Sequence, residues 1–399
     1  MTPRALKRVL PVRLKRALVE TFVMPYVRRY ELQRLEKERR RVEARVPHWS
    51  RSERPGPKRT VRVGFVGAGQ YARHHLSVFA SYEAVELAAL LTTGGPAAAE
   101  VAPQFGIARV FSDLDAFLAQ DDLDCFVAVV PPRVMVEVAS RCLATGKPVL
   151  LEKPPGVTTS DTQALIRVAD QAGTWGMVGL NRRFYSVVEH GLAALARLGA
   201  VRGAILEVPQ GITADRQSGR LTDFDYDHFY VRNSIHDVDM LRYVLGDPIR
   251  VHSRTWPNAE FGNRAASYAA ILEYGQGVTA TILDLWDTPD EARFKVVAEG
   301  GAVRWEKLRA GWVEAKGGPL PIPVDPVDER FRTGLWAQDL HFVEAVRVGR
   351  RPAVPAATLE DALGTMILIE QILGDSLGPG RGEPARVDPP LRQAVPLPD

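Results

Sequence analysis

The alternation of apolar and polar positions first identifies a series of short strands and helices in the middle of the chain. The predicted strands cover residues 61–66, 86–91, 124–130, 148–151 and 176–180. The predicted helices lie near residues 70–81, 96–105, 112–119, 132–144 and 158–171. This alternation is typical of a parallel sheet with helices on both faces. Residues 61–180 are therefore predicted to form one domain of this type.

Beyond residue 180 the order of elements changes. A helix near 186–198, a strand near 203–210 and a helix at 233–245 come first. Closely spaced strands follow, joined by turns such as Tyr274-Gly275-Gln276-Gly277, and they cover residues 249–256, 267–274, 278–284, 292–298 and 301–307. Short turns of this kind are typical of an antiparallel sheet. Helices near 338–348 and 357–373 complete a second domain at 181–376, and a Pro-rich tail at 377–399 follows.

Residues 1–60 have a pattern of their own. Leu6, Leu10, Leu14, Leu18 and Phe22 recur every four residues among basic side chains, which predicts amphipathic helical pieces. The segment holds 18 Lys and Arg against 6 Asp and Glu, a net charge of +12, whereas the rest of the chain carries −9. Two uses fit this pattern: reversible attachment to an anionic membrane surface, or packing against the acidic body or a neighbouring subunit. Residues 51–59 read as a linker.

Composition excludes several classes of protein. Hydrophobic residues at 46% and charged residues at 25% are ordinary for a globular chain of 399 residues. The best N-terminal apolar run, residues 17–27, is interrupted by Glu20 and Pro25, so neither a spanning helix nor a signal peptide is expected. Two cysteines are too few for a disulfide framework or a Cys-rich zinc site, and no metal is expected. Together these features favour a cytoplasmic location.

A glycine-rich turn follows the first predicted strand and opens a helix. In Gly67-Ala68-Gly69-Gln70-Tyr71-Ala72, Gly67 permits a tight turn, Gly69 lets the backbone approach a pyrophosphate, and Ala72 allows close packing of helix and strand. The helix N-terminus then presents its amides to the phosphates. The strand, motif and helix together indicate a dinucleotide site. The alternative is a glycine turn without a ligand.

The sequence leaves the choice between NAD and NADP open. The second strand ends in Thr92-Thr93-Gly94-Gly95, where an NAD site commonly has an acidic residue for the ribose. Thr92 and Thr93 leave room for a 2′-phosphate, so NADP is slightly favoured. No Lys or Arg lies in this loop, although Arg73 could fold over it. The two threonines could equally begin an ordinary turn.

Glu152 and Lys153 follow the strand at 148–151, at the sheet edge where open α/β folds bind ligands. A lysine at this edge can stabilise an alkoxide or carbonyl oxygen during hydride transfer, because its charge acts strongly in a cleft with little water. The alternative for Lys153 is an exposed turn residue.

Four motifs occur in the order and spacing of the Gfo/Idh/MocA oxidoreductases, which the chain resembles from about residue 61 to 376. The motifs are residues 67–75, Glu152-Lys153-Pro154, Gly179-Leu180-Asn181-Arg182-Arg183-Phe184 and His236-Asp237-Val238-Asp239. The resemblance implies an α/β protein with an N-terminal Rossmann domain and a C-terminal α/β domain with an open, mostly antiparallel sheet. It also implies NAD or NADP as cofactor, a sugar, sugar nucleotide or cyclitol as substrate, and subunits that pair through the exposed face of the second sheet.

The resemblance also implies roles for single residues. Lys153 resembles the family's active-site lysine, and His236 resembles the histidine that exchanges the hydroxyl proton or orients the hydroxyl. Histidine suits either task because its ordinary pKa is about 6.5. Asp239 could hold the His236 ring or cap local structure. Asn181 and Arg183 are expected to border the substrate.

Two departures from the family pattern bear on activity. Arg232, followed by Asn233, occupies the position where many members have an aspartate four residues before the histidine. These two residues are expected to contact the substrate, with Arg232 binding an anionic group such as a phosphate or carboxylate. After the strand at 124–130, Pro131 is expected to border the cofactor, and Met135 stands where a histidine is frequent.

The leading interpretation is an NAD(P)-dependent dehydrogenase or reductase that acts on CH–OH groups. The alternative is a catalytically inactive nucleotide-binding sensor or assembly protein of the same fold, suggested by Arg232 and Met135. Nucleic-acid binding is not expected, since no reader motif accompanies the basic N-terminal residues.

Overall fold

The computed structural model describes residues 60–94, 96–211, 218–219, 222–258, 264–286, 288 and 291–374. The basic segment up to residue 59 and the tail at 377–399 lie outside these ranges, and the sequence interpretation of both stays a prediction. Within the described ranges, no helix is long and apolar enough to cross a membrane.

The described strands and helices alternate in the first half of the chain and separate in the second. The strands are β1 (Val61–Val66), β2 (Val85–Leu91), β3 (Val110–Phe111), β4 (Cys125–Ala128), β5 (Val149–Leu151), β6 (Gly176–Val178), β7 (Val201–Gln210), β8 (Arg250–Asn258), β9 (Arg264–Glu273), β10 (Thr279–Trp286), β11 (Arg293–Ala298), β12 (Gly301–Glu306), β13 (Ala310–Ala315), β14 (Gly318–Pro321) and β15 (Ala357–Thr358). The helices are α1 (Gln70–Phe79), α2 (Pro96–Gln104), α3 (Leu114–Leu118), α4 (Pro132–Ala144), α5 (Thr159–Gln171), α6 (Ser186–Leu195), α7 (Asp223–Asp227), α8 (Ile235–Leu245), α9 (Pro326–Arg330), α10 (Leu335–Val348) and α11 (Leu359–Leu373).

The first sheet is parallel over six strands, in the order β3-β2-β1-β4-β5-β6. β1 is buried at five of its six positions, as a parallel strand covered on both faces by helices must be. The direction of strand order reverses between β1 and β4, and ligands bind outside the carboxyl ends of the strands at such a point. The predicted Rossmann sheet is confirmed.

The second sheet has eight strands in the order β14-β13-β12-β11-β7-β10-β9-β8. β7 and β10 run parallel, and every other neighbouring pair is antiparallel, which confirms the predicted sheet type. Residues alternate between the two faces: Ala204, Leu206 and Val208 are buried, whereas Ile205 between them is 49% exposed. One face of the sheet therefore belongs to the core, and the other is open.

The end of the described chain returns to the first sheet. α10 packs on α1, β15 pairs antiparallel with β6, and α11 packs on α5 and α8. Residues near the end of the described chain therefore pack against elements of the first domain and complete its sheet at β6.

The strands β13 and β14 were not among the sequence predictions. β14 has the sequence Gly-Pro-Leu-Pro, in which three of four residues are weak strand formers. It lies at an edge of the sheet with all four residues exposed, where Pro is tolerated because no partner needs its missing N–H. The helix predicted at 233–245 is also divided, since Tyr230–Ser234 forms a π-helical turn before α8 begins.

Candidate active site

The connection from β1 to α1 forms a glycine turn with an accessible helix N-terminus. Gly67 has φ of 109°, and a Cβ there would lie 2.1 Å from the Val129 carbonyl oxygen. At Gly69, no atom of the described ranges lies within 4 Å of the position that a Cβ would take. α1 has no side-chain cap and no acidic residue in its first turn, so its first amides are available to an anion. This geometry fits the pyrophosphate of a dinucleotide.

The other residues of the motif divide between packing and exposure. Ala72 is fully buried and Ala68 is 8% exposed. Gln70 is exposed, and Tyr71 is half-buried with its ring 5.6 Å from that of His75. Burial raises the pKa of the Tyr71 hydroxyl above its ordinary value, so Tyr71 stays neutral.

The two threonines and Pro131 lie at the same edge of the sheet as the glycine turn, because β1, β2 and β4 are parallel neighbours. Thr92 is half-buried, and its amide donates to the Phe111 carbonyl over 3.0 Å. Thr93 and Pro131 are exposed, and Pro131 directly precedes α4. Arg73 extends toward α2, where it binds Glu100 and Gln104 over 3.0 and 2.8 Å.

Lys153 follows β5 and points into the protein. Its Nζ donates to the Arg232 carbonyl oxygen over 2.8 Å. That carbonyl belongs to the π-helical turn before α8, a type of turn that recurs at functional sites. Burial lowers the pKa of Lys153 to about 8, although the Glu152 carboxylate favours the charged form. Lys153 is half-buried, so the alternative of an exposed turn lysine is wrong.

A buried chain of polar contacts supports Glu152 from behind. Glu152 Oε1 lies 3.1 Å from His75 Nε2, and His75 Nδ1 lies 2.8 Å from Asp339 Oδ2. Burial alone lowers the pKa of His75, but Asp339 and Glu152 outweigh it and raise that pKa to about 10. Oε2 of Glu152 accepts the Lys153 amide at 3.3 Å. A Cβ at Gly179 would lie 2.6 Å from Oε1, so the absent side chain makes room for the carboxylate.

His236 is the second residue of α8 and is half-buried. Its pKa lies well below 6.5, first because of burial and then because of the charges on Lys153, Arg182 and Arg332. The imidazole is therefore neutral near pH 7 and able to accept a proton. Its Nδ1 atom is buried and has no hydrogen-bond partner in the described ranges.

Arg182, rather than Arg183, faces this region. Its guanidinium forms an ion pair with Asp237, the neighbour of His236 on α8. Its charge also acts on Lys153 and His236. Asp237 keeps a buried oxygen, Oδ2, without a hydrogen-bond partner among the described side chains.

Arg183 lies in a separate buried network, which corrects its expected role at the substrate. It binds Asp239 through Nε at 2.8 Å and Nη2 at 2.5 Å, and it binds Asp361 through Nη1 at 2.5 Å. Thr365 donates to Asp239 as well, over 2.9 Å. Asp239 therefore neither holds His236 nor caps α8. Its carboxylate neutralises Arg183 and connects α8 with α11.

The remaining predicted substrate residues have contacts within the protein. Asn181 is 3% exposed, and its amide donates to the Thr333 carbonyl over 2.9 Å. The Arg232 guanidinium lies 3.7 Å from Asp225, and its buried Nη1 has no hydrogen-bond partner among the described residues. The backbone carbonyl of Arg232 accepts from Lys153 Nζ. Asn233 is half-buried in the same π-helical turn.

Met135 has a structural role. It is fully buried within α4, in the hydrophobic core. The side chain at this position therefore does not border a cleft, and it gives no argument against activity.

Three residues escaped the sequence predictions, and all depend on contacts between distant segments. In the sequence, His75 is only the last residue of the first motif, and the prediction assigns a substrate role to Arg183 and none to its neighbour Arg182. Arg332 lies in a loop between α9 and α10, outside every motif. The Arg332 guanidinium lies 4.9 Å from the centre of the Tyr71 ring. The signal available for His75 was its place on the buried face of α1 with Ala72, Leu76 and Phe79.

The sheet order, the glycine turn and the lysine and histidine beyond the strand ends define a dinucleotide-dependent oxidoreductase. The sequence pattern described as "Oxidoreductase family, NAD-binding Rossmann fold" matches residues 61–180, and that of the Gfo/Idh/MocA C-terminal domain matches residues 192–304. The chain belongs to the Gfo/Idh/MocA family of oxidoreductases, as the resemblance implied.

Curated relatives share about a quarter of their residues with this chain. The 4-carboxy-2-hydroxymuconate-6-semialdehyde dehydrogenase of Sphingobium sp. strain SYK-6 is 25% identical over 75% of this chain and 95% of its own. The scyllo-inositol 2-dehydrogenase (NAD(+)) of Bacillus subtilis is 25% identical over 74% of this chain and 88% of its own. A D-apiose dehydrogenase of Paraburkholderia graminis is 27% identical over 76% and 84%.

A solved structure has the same fold at lower identity. The oxidoreductase of Agrobacterium radiobacter in complex with NAD+, L-tartaric acid and magnesium has a TM-score of 0.67 and 18% identity. The match covers 78% of this chain and 94% of that protein.

Proposed function

We propose that this protein transfers a hydride between NAD(P) and a CH–OH carbon of a polyhydroxy substrate, a sugar, sugar nucleotide or cyclitol. One observation carries the proposal: Lys153 follows β5 at the same sheet edge as the accessible N-terminus of α1, and its charge acts on the neutral His236 imidazole. Relatives named as dehydrogenases of an inositol and of apiose support this range of substrates.

His236 and Lys153 have separate roles in the proposed reaction. When bound, the nicotinamide supplies the site that gives or takes the hydride. Neutral His236 accepts the proton of the substrate hydroxyl during oxidation and returns it during reduction. The Lys153 ammonium stabilises negative charge on the same oxygen, more strongly than in water because the lysine is buried.

Glu152 and its partners hold Lys153 in position. The carboxylate is hydrogen-bonded on one side to His75 and on the other to the Lys153 backbone amide. Lys153 Nζ is fixed in turn by the Arg232 carbonyl. A lysine held at both its backbone and its ammonium loses little freedom on binding substrate, which favours a productive geometry.

Substitution of the two candidate catalytic residues tests the proposal. Lys153→Met removes the charge at similar volume, and His236→Ala removes the proton acceptor. Each substitution should lower the rate of polyol oxidation by about 100-fold or more while leaving the dissociation constant for the cofactor nearly unchanged. Cofactor binding without turnover by the wild type on any polyol tested would favour the inactive sensor instead.

The ribose loop supports use of NADP. Thr92 and Thr93 carry no charge that would repel a 2′-phosphate. The ion pair of Arg73 with Glu100 is of the exposed kind that contributes about 0–1 kcal/mol, so a phosphate can replace it. Titration of NADH and NADPH by nicotinamide fluorescence, with Arg73→Gln as the variant, measures the preference. Loss of NADPH affinity alone would support this role.

The open face of the second sheet supports a homo-oligomer. Ile271, Thr281 and Ile205 lie in one row across β9, β10 and β7, and the two isoleucines are each 49% exposed. Exposed apolar rows of this kind are typical of subunit interfaces. Ile205→Glu with Ile271→Glu should reduce the assembly size in light scattering.

The basic segment at 1–60 supports two uses, and vesicle co-sedimentation distinguishes them. Binding to anionic vesicles that weakens with salt and requires residues 1–60 would support a membrane surface. A smaller or less stable assembly after their deletion, without vesicle binding, would support packing.

A further inference from the structure

Most cations around His236 have an acidic partner inside the protein. The pairs are Arg182 with Asp237, Arg232 with Asp225, and His75 with Glu152 and Asp339. Lys153 lies beside Glu152 and donates to a backbone carbonyl.

Arg332 is the exception. It is exposed, and its guanidinium has no ion pair or hydrogen bond with any residue that the structure describes. The guanidinium lies 4.9 Å from the centre of the Tyr71 ring, within range of a cation–π contact. Its charge also acts on His236 and Tyr185. Arg332 therefore contacts Tyr71 at the glycine turn, and its charge acts on the candidate proton acceptor.

The loop that carries Arg332 is fixed at both following residues. The Thr333 carbonyl accepts from Asn181 Nδ2 over 2.9 Å, and the Gly334 amide donates to Asp328 Oδ1 over 2.8 Å. Gly334 has φ of 76°, and a Cβ there would lie 2.4 Å from the Asn181 carbonyl oxygen. These contacts hold the loop in place, while the Arg332 guanidinium keeps its N–H donors without an acceptor among the described residues.

We propose that Arg332 binds a carboxylate of the substrate, so that the enzyme acts on an acidic polyhydroxy compound, such as a sugar acid, in preference to a neutral sugar. The planar guanidinium can offer two parallel N–H donors to a planar carboxylate. This inference rests on the proposed function, because it assigns the charge of the substrate of the same site.

The electrostatics of His236 agree with this assignment. Burial, and after it the charges of Lys153, Arg182 and Arg332, holds the imidazole pKa well below 6.5, which weakens it as a base. A carboxylate bound at Arg332 offsets the last of these charges and raises the pKa. An acidic substrate thus improves the proton acceptor that acts on it, whereas a neutral sugar leaves the pKa depressed.

Binding and turnover of matched acidic and neutral compounds test the inference. The probes are L-tartrate, D-galacturonate, D-galactose and D-galactose 6-phosphate, titrated calorimetrically into the full-length protein saturated with oxidised cofactor. The variants are Arg332→Gln, Arg332→Lys and the control Arg330→Gln, which removes the same charge two residues earlier, where the guanidinium stacks on Phe331 at 5.5 Å. Cofactor affinity is measured separately for each variant by fluorescence.

We expect at least one carboxylate to bind wild type about tenfold or more tightly than D-galactose, and Arg332→Gln to lose that preference. Arg332→Lys should restore part of it, and Arg330→Gln should behave as wild type. Equal binding of acidic and neutral probes, preference for the phosphate alone, or a preference that survives Arg332→Gln would overturn the inference. So would a tenfold loss of cofactor affinity in Arg332→Gln, since Arg332 would then serve the cofactor. Absence of cofactor binding in the wild type would instead defeat the proposed function.

Discussion

His75 on α1 and Asp339 on α10 form a buried 2.8 Å hydrogen bond although 264 residues of chain separate them. Both side chains are inaccessible to solvent, and the other nitrogen of His75 continues the contact to Glu152. The position of Glu152 beside Lys153 therefore depends on a helix near the end of the described chain. This connection yields the first two predictions.

Removing His75 should destabilise the fold and lower turnover together. His75→Gln leaves Asp339 and Glu152 without their shared cation, and breaking one partner of a buried ion pair costs about 3–5 kcal/mol. Urea denaturation measures the free energy of unfolding, and kcat is measured on the same preparation. His74→Gln is the control, because His74 lies outside this chain of contacts. Equal stability of both variants would contradict the assigned role.

Because of the same imidazole, the free energy of unfolding should decrease as the pH rises into the alkaline range. The pKa of His75 is about 10 in the folded protein, against 6.5 for an ordinary histidine. A raised pKa means that the stabilisation is complete below about pH 6.5 and is lost as the pH rises through about 10. We expect the free energy of unfolding to decline from about pH 7 to 10, and the decline to be shallower in His75→Gln. Parallel curves for the two proteins would show that another group titrates.

Lys153 should set an alkaline limit on activity. Its pKa of about 8 means that the ammonium proposed to stabilise the substrate oxygen is lost as the pH rises through that value. We expect kcat/KM to fall above about pH 8, since this ratio reports groups of the free enzyme. Lys153→Arg, which stays charged, should lack this limb of the profile even if its rate is low. If kcat/KM of the variant still fell at the same pH, a group other than Lys153 would be responsible for the titration.

The two glycines of the cofactor turn should respond differently to alanine. Gly69→Ala points a methyl group into open space, so the fold should remain intact while cofactor affinity falls about tenfold or more, because the pyrophosphate approaches there. Gly67→Ala forces a clash at 2.1 Å and a left-handed backbone, which should cost about 1–3 kcal/mol of stability or more. Thermal denaturation and cofactor titration of both variants measure the two effects separately.

Arg183→Met should affect stability and leave the chemistry alone. The substitution removes the buried cation of Asp239 and one of the two arginines that bind Asp361, at a cost of about 3–5 kcal/mol. KM and the pH dependence of kcat, measured where the variant is fully folded, should match the wild type. A selective rise in KM would instead support the substrate-binding role that the sequence predicted for Arg183.

Strand positions followed from sequence wherever local pattern determines them. β1 was predicted at its observed limits, because a buried parallel strand is a continuous apolar run with a glycine turn after it. β15, with two residues, carries no such pattern and exists because it pairs with β6. Lys153 and His236 could be proposed as site residues because motifs mark them. Arg332 could not, since its position beside Tyr71 arises only from folding of segments far apart in the chain.

The return of α10 and β15 to the first sheet has a consequence for synthesis of the protein. Residues 61–180 leave the ribosome long before residues 335–358, yet the sheet edge at β6 and the support of Glu152 both require the later segment. The cofactor half of the molecule therefore cannot reach its final form during translation. The buried contacts that hold Glu152 beside Lys153 therefore form only after α10 has been synthesised, and a product that ends before α10 lacks them.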